Sequence, residues 1–138
     1  MTKHARRTKT FEDGLRARVE GVVFADGSCP ADRFLNEEIS LEARAAFEGR
    51  MRNYGARGWL RNPEQMRDIS EGQKAKRADN ETVSEMKVDQ GPGYRLYGVK
   101  RGNTFLVTHG MPKPKDKLVA AEAKKTRQYI ARWERESG

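Results

Sequence analysis

Cysteine is almost missing from this sequence: Cys29 stands alone among 138 residues, so no disulfide can close within the chain and a disulfide-stapled scaffold is excluded. Histidine is nearly as scarce. His4 and His109, distant from each other and from Cys29, do not make the ligand spacing of a zinc site, so no metal and no cofactor is expected. No apolar run approaches the roughly 18 residues a membrane helix needs. The basic start Met1-Thr2-Lys3-His4-Ala5-Arg6-Arg7 leads into Thr10-Phe11-Glu12-Asp13 rather than into the apolar core of a secretion signal. The expected setting is a reducing cytoplasm, without membrane contact. Hydrophobic residues make up 36% against 35% charged, enough for one core in a chain of this length and not for two.

Positive charge is what the chain has in excess: 28 Lys and Arg against 20 Asp and Glu, a net +8. Its distribution is uneven. Residues 84–138 hold 12 basic and 6 acidic residues, a net +6, whereas residues 1–83 hold 16 and 14, a net +2. Between residues 91 and 117, Arg95, Lys100, Arg101, Lys113, Lys115 and Lys117 face only Asp116. An excess of this density attracts phosphate backbones through counterion release, and Tyr94 and Tyr97 interleaved with it would stack on unpaired bases. Nucleic acid is the expected partner.

The order of elements follows from periodicity and punctuation. Residues 1–14 read as a basic, flexible tail and 15–138 as one domain, with a mobile, small and polar loop at about 70–81. The β-branched run Val19 to Phe24 before Asp26-Gly27 predicts a first strand. Pro30 opens a short helix. Ser40 caps a longer one that carries Leu41, Phe47, Met51 and Tyr54 on one face and is ended by Gly55 and Gly58. Trp59 and Leu60 read as an anchor onto the core, and Asn62-Pro63-Glu64 as a further helical turn. Strands over 83–89, 94–101 and 104–109, joined by Gly91-Pro92-Gly93 and Gly102-Asn103, make an antiparallel meander, with Pro112 and Pro114 forbidding ladder pairing just after His109. A last helix, capped by Asp116, packs on the sheet through Val119, Ala123, Ile130 and Trp133. The expected fold is α+β: a small antiparallel sheet of the N-terminal strand and the meander, with two N-terminal helices and a C-terminal helix.

Alternation within the strands sets Glu85, Lys87 and Asp89 on one face and Met86 and Val88 on the other, and likewise separates Arg95, Tyr97 and Val99 from Tyr94, Leu96 and Gly98. The planar fork of Arg95 suits a phosphate that gains charge in phosphoryl transfer, or else forms a structural ion pair with Glu85 or Glu122. Beside it Lys87 would be pushed toward the pKa of a usable base, the alternative being a solvated edge lysine. His109 either donates a proton to a leaving oxygen or satisfies its own hydrogen bonds. Cys29 reads as inert.

Taken together, Glu85-Met86-Lys87-Val88, Gly93-Tyr94-Arg95-Leu96-Tyr97, Thr104 to Gly110, the lysines at 113, 115 and 117, and Ala120 to Tyr129 resemble, over roughly residues 82–133, the RelE/ParE toxin superfamily, nearest its HigB and phage-derived branch. The resemblance implies a RelE-like fold and a toxin of a type II toxin-antitoxin pair, a ribosome-dependent mRNA endoribonuclease held in check by a cognate antitoxin. It implies metal-independent cleavage by 2′-hydroxyl attack, with Arg95 clamping the phosphate, Lys87 assisting the hydroxyl, and Lys113 a further catalytic residue that shares with Lys115 the loop after the last strand. Met111 and Pro114 depart from the family's adjacent lysine pair. Tyr97, Lys100, Arg101, Lys115 and Lys117 are the expected RNA contacts, with His109 a candidate acid. A ParE-like inhibitor of DNA gyrase and a non-catalytic phage or accessory nucleic-acid-binding protein are the alternatives.

Overall fold

The computed structural model describes residues 7–69 and 81–136. A six-stranded mixed sheet, in the order β1-β2-β6-β5-β4-β3, lies between two helical layers, so the architecture is α+β. The meander is as expected: β4 (Val83–Val88), β5 (Tyr94–Arg101) and β6 (Thr104–Pro112) pair antiparallel through short turns. β2 (Arg18–Val23) joins β6 in parallel, the hand-over that makes the sheet mixed rather than antiparallel.

Both edges carry strands that the sequence pattern conceals. Residues 7–13, expected as part of a tail, form β1 (Arg7–Asp13), antiparallel to β2, with Phe11 bulged out of register toward the core. Its Arg7 and Lys9 keep an exposed edge charged, which discourages pairing with other chains. At the opposite edge β3 (Met66–Ile69) pairs with β4, where a helical turn was expected from Asn62-Pro63-Glu64; residues 62–65 instead make a turn in which the Gln65 and Met66 N–H groups donate to the Arg61 carbonyl. The loop expected at about 70–81 lies outside the described residues except for Glu81, which pairs with Arg101 at 2.6 Å.

On one face sit α1 (Pro30–Arg33), continued by a π-helical turn over Phe34–Glu38, and α2 (Leu41–Arg57). Ser40 caps α2 by accepting from the Ala43 N–H, and Gly58, at φ 84°, ends it in the left-handed conformation open to glycine; Gly55 lies within the helix. Phe34, Phe47, Met51 and Tyr54 pack with Met86, Val88, Leu96 and Phe105 of the sheet. Leu41 and Trp59, both expected in this core, are exposed, and Leu60 alone turns inward. On the other face α3 (Val119–Glu136) lays Ala123, Thr126, Ile130 and Trp133 against Val22, Val83, Tyr97, Val99 and Leu106, and the Trp133 indole donates to the Arg7 carbonyl at 2.8 Å. A 3-10 turn, Asp116–Leu118, precedes α3, so Asp116 lies in that turn and not at the head of α3, where it was expected as the cap.

The ladder between β5 and β6 continues past His109 to Tyr94↔Pro112, because a proline at the end of a strand forfeits only one donor. One irregularity decides where His109 points. Tyr97 pairs with His109 and Gly98 with Val107, so Thr108 is an extra residue that flips His109 onto the α3 face. The bulge depends on Gly98: a Cβ there would overlap the Leu106 carbonyl and come within 2.9 Å of Val107 Cα. Gly98→Ala is expected to cost about 2 kcal/mol, read as a lower urea midpoint, because backbone rather than a flexible side chain has to move.

Candidate functional site

Alternation keeps Lys87 with Glu85 and Arg95 with Tyr97, as expected; the fold turns both pairs to the α3 face, and strand pairing sets them side by side. Two cross-strand rows result. The first runs Arg67↔Glu85↔Tyr97↔His109 across β3, β4, β5 and β6, and the second Lys87↔Arg95↔Met111 across β4, β5 and β6. Residues directly opposite on one face lie within about 5.5 Å at Cβ, close enough for charges to act on one another.

Glu85 is the centre of the arrangement. Its side chain is 1% exposed, and a carboxylate so far from water requires compensating charge. Arg67 supplies most of it, with Nη2 at 2.6 Å and Nε at 3.0 Å from Oε1. Arg95 Nε stands 3.9 Å from Oε2 and Lys87 Nζ 4.0 Å from Oε1. Arg95, itself buried, also donates through Nη1 to the Tyr94 carbonyl at 2.9 Å. The structural ion pair with Glu85 is therefore present, but it is loose, and among the described residues most of the five guanidinium donors meet no acceptor.

Lys87, Arg95 and Lys113 line one recess of about 180 Å³ with Arg67, Glu85 and Pro114. That is below the roughly 300 Å³ of pockets that enclose a drug-sized ligand, and suits a single phosphate group. Four basic side chains line it against two carboxylates, the buried Glu85 and Asp116, so the recess is net positive. Lys113 is held there by its backbone N–H, which donates to the Gly93 carbonyl at 2.9 Å. Burial, reinforced by the positive charge of Arg67, lowers the pKa of the Lys87 amine from its ordinary value; Arg95 and Lys113 act in the same sense and Glu85 opposes them. A depressed lysine beside an arginine fork can bind a phosphodiester and accept a proton.

Other expected site residues lie elsewhere. Tyr97 is fully buried, so it cannot stack on RNA bases; burial and the Glu85 and Glu122 carboxylates push its pKa far up. Arg101 is tied to Glu81 and Glu134 and lies over the Trp133 ring, which makes it a brace between β5 and α3. Lys100 alternates to the opposite face and reaches Asp68 at 3.4 Å. Lys115 and Lys117 are exposed on the loop before α3 without lining the recess.

His109 is buried between the rings of Tyr97 and Tyr129, with Nε2 3.0 Å from Glu122 and Nδ1 2.9 Å from the Thr108 hydroxyl. It lines a different recess, of about 530 Å³, with Cys29, Asp32, Lys125 and Tyr129. Tyr97 stands between it and Glu85 in the cross-strand row, so the structure does not bring His109 together with Lys87 and Arg95. Burial holds its pKa below 6.5, the Glu122 hydrogen bond opposing and Lys125 assisting. Because the unfolded chain then takes up a proton before the folded one, stability is expected to fall as pH drops below about 6.5. Urea unfolding between pH 7 and about 5 checks this, with a shallower dependence in His109→Gln.

Sequence reasoning missed Arg67 as a site residue and treated Glu85 only as a partner for Arg95. For Glu85 the signal was its place on the Lys87 face of β4; for Arg67 there was none, since β3 itself was not legible. Compared with known proteins, the chain matches no family model, no curated protein and no solved structure.

Proposed function

We propose that this protein is an endoribonuclease that cleaves mRNA by attack of a 2′-hydroxyl on the adjacent phosphate. The observation that carries the reading is the convergence of Lys87, Arg95 and Lys113, with Arg67, on one recess around the buried Glu85 carboxylate. Arg95 and Arg67 hold the phosphate and stabilise the charge that gathers on its oxygens. The neutral Lys87 amine takes the proton of the 2′-hydroxyl as the O2′–P bond forms. The P–O5′ bond breaks, the 5′-oxygen receives a proton from the Lys113 ammonium, and the products are a 2′,3′-cyclic phosphate and a free 5′-hydroxyl. The lowered Lys87 pKa supports the base role, and the separate recess that holds His109 favours Lys113 over it as the acid.

The translating ribosome as the setting, an antitoxin protein as the inhibitor and membership of the RelE/ParE toxins extend the proposal from the motifs of residues 82–133. The test is incubation of message with the purified protein, with and without translating ribosomes, followed by analysis of the RNA ends. The expected result is cleavage of ribosome-bound message that leaves 5′-hydroxyl ends. Intact message in every condition, with salt-sensitive RNA binding retained, would replace this reading by non-catalytic RNA binding.

A further inference from the structure

At the turn between β1 and β2, Leu15 is 93% exposed, and just beyond the end of α2 the Trp59 side chain is 59% exposed. These two places adjoin in the fold. The N–H groups of Arg16 and Ala17 both donate to the Gly55 carbonyl, at 2.8 and 3.0 Å, and Gly14 meets the Gly55 backbone so closely that no side chain fits between them. A Cβ at Gly58 would lie 3.8 Å from that of Arg16. The Arg57 guanidinium lies over the Trp59 ring at 5.7 Å. Arg16, Arg57 and Arg61 are exposed, and none of them forms an ion pair among the described residues, whereas Lys9, Arg18, Lys100 and Arg101 each meet a carboxylate.

We propose that Leu15, Arg16, Arg57, Trp59 and Arg61 form a docking surface for an acidic, amphipathic protein segment. Apolar side chains of the segment cover Leu15 and Trp59, and its carboxylates take the three arginines. The charge on the surface asks for an anion, since arginine pairs bidentately with carboxylates and phosphates alike. The aliphatic member decides between protein and nucleic acid: a leucine standing in water gains by meeting apolar side chains and gains nothing from a phosphate backbone. Tryptophan and arginine are also the side chains that dominate protein interfaces. None of the five residues lines the recess around Glu85, so the proposal does not depend on the catalytic reading.

The experiment is panning of phage-displayed random 16-residue peptides on the full chain, followed by titration of the selected peptides against wild type, Trp59→Ala and Arg16→Glu/Arg61→Glu. These side chains are exposed, and circular dichroism verifies that the variants fold. The expected pool interleaves Asp and Glu with Leu, Ile or Phe, and its members bind each variant at least about tenfold more weakly than wild type. Equal binding to all three proteins, or no enrichment of acidic amphipathic sequences, overturns the proposal. So does an RNA oligonucleotide whose binding requires Trp59 and displaces the peptides, because the surface would then be a nucleic-acid contact.

Discussion

Replacing Lys87 by alanine is expected to lower message cleavage by roughly 10²–10⁴-fold, the range over which a positioned general base acts, while leaving the urea midpoint near that of wild type. The two halves of this expectation come from one environment. Lys87 stands among Arg67, Arg95 and Lys113, and the carboxylate it meets among the described residues, Glu85, is already bonded to Arg67 at 2.6 Å. Removing the amine relieves like-charge repulsion about as much as it forfeits attraction to Glu85 at 4.0 Å. The wild-type rate is expected to rise with pH until the lowered Lys87 pKa is passed, because only the neutral amine accepts a proton. Lys87→Arg separates charge from basicity: it keeps the positive charge, cannot act as a base near neutral pH, and is expected to be as inactive as alanine. Full activity in Lys87→Arg would assign this position to phosphate binding alone.

Glu85→Gln is expected to reduce folding stability by about 3 kcal/mol, the lower end of the range for breaking a buried ion pair, since Arg67 keeps access to water and part of its hydration. Arg95 does not have that access. With its side chain 6% exposed, it is left with no carboxylate at 3.9 Å and with Lys87 still close by. Cleavage is expected to fall as well, because the carboxylate that keeps Arg67, Arg95 and Lys87 in one array is gone; Glu85 thus acts as a positioning residue. The measurement is a double-mutant cycle in urea with Arg67→Gln. If the pair is coupled as the geometry indicates, the double variant recovers a large part of the loss, whereas simple additivity would mean that Glu85 is held by packing rather than by charge.

What could be read from the sequence was whatever depends on neighbours in the chain. Period-two alternation carried Lys87 and Arg95 to one face of the sheet, and the Ser40 and Gly58 caps bounded α2, because φ/ψ preferences and side-chain direction are local properties. The edge strands escaped for the same reason. Arg-Thr-Lys-Thr-Phe-Glu-Asp and Met-Arg-Asp-Ile have too few apolar residues to announce a strand, and pair only because β2 and β4 offer them an open edge. Burial was equally hidden: a tyrosine and a glutamate among basic residues read as surface groups until α3 covers them.

The sequence by itself therefore determined an α+β chain with a basic second half and placed Lys87 and Arg95 on the same side of neighbouring strands. Tertiary structure alone decided that Arg67 joins them, that the expected Lys113 lines the same recess, that Tyr97 is wall rather than stacking platform, and that His109 turns into a separate recess. Each of these is settled by contacts between segments far apart in the chain: a one-residue bulge opposite Gly98, a helix lying over the sheet, a loop pinned to Gly93. Such contacts depend on which backbones meet, and no local pattern of residues records that.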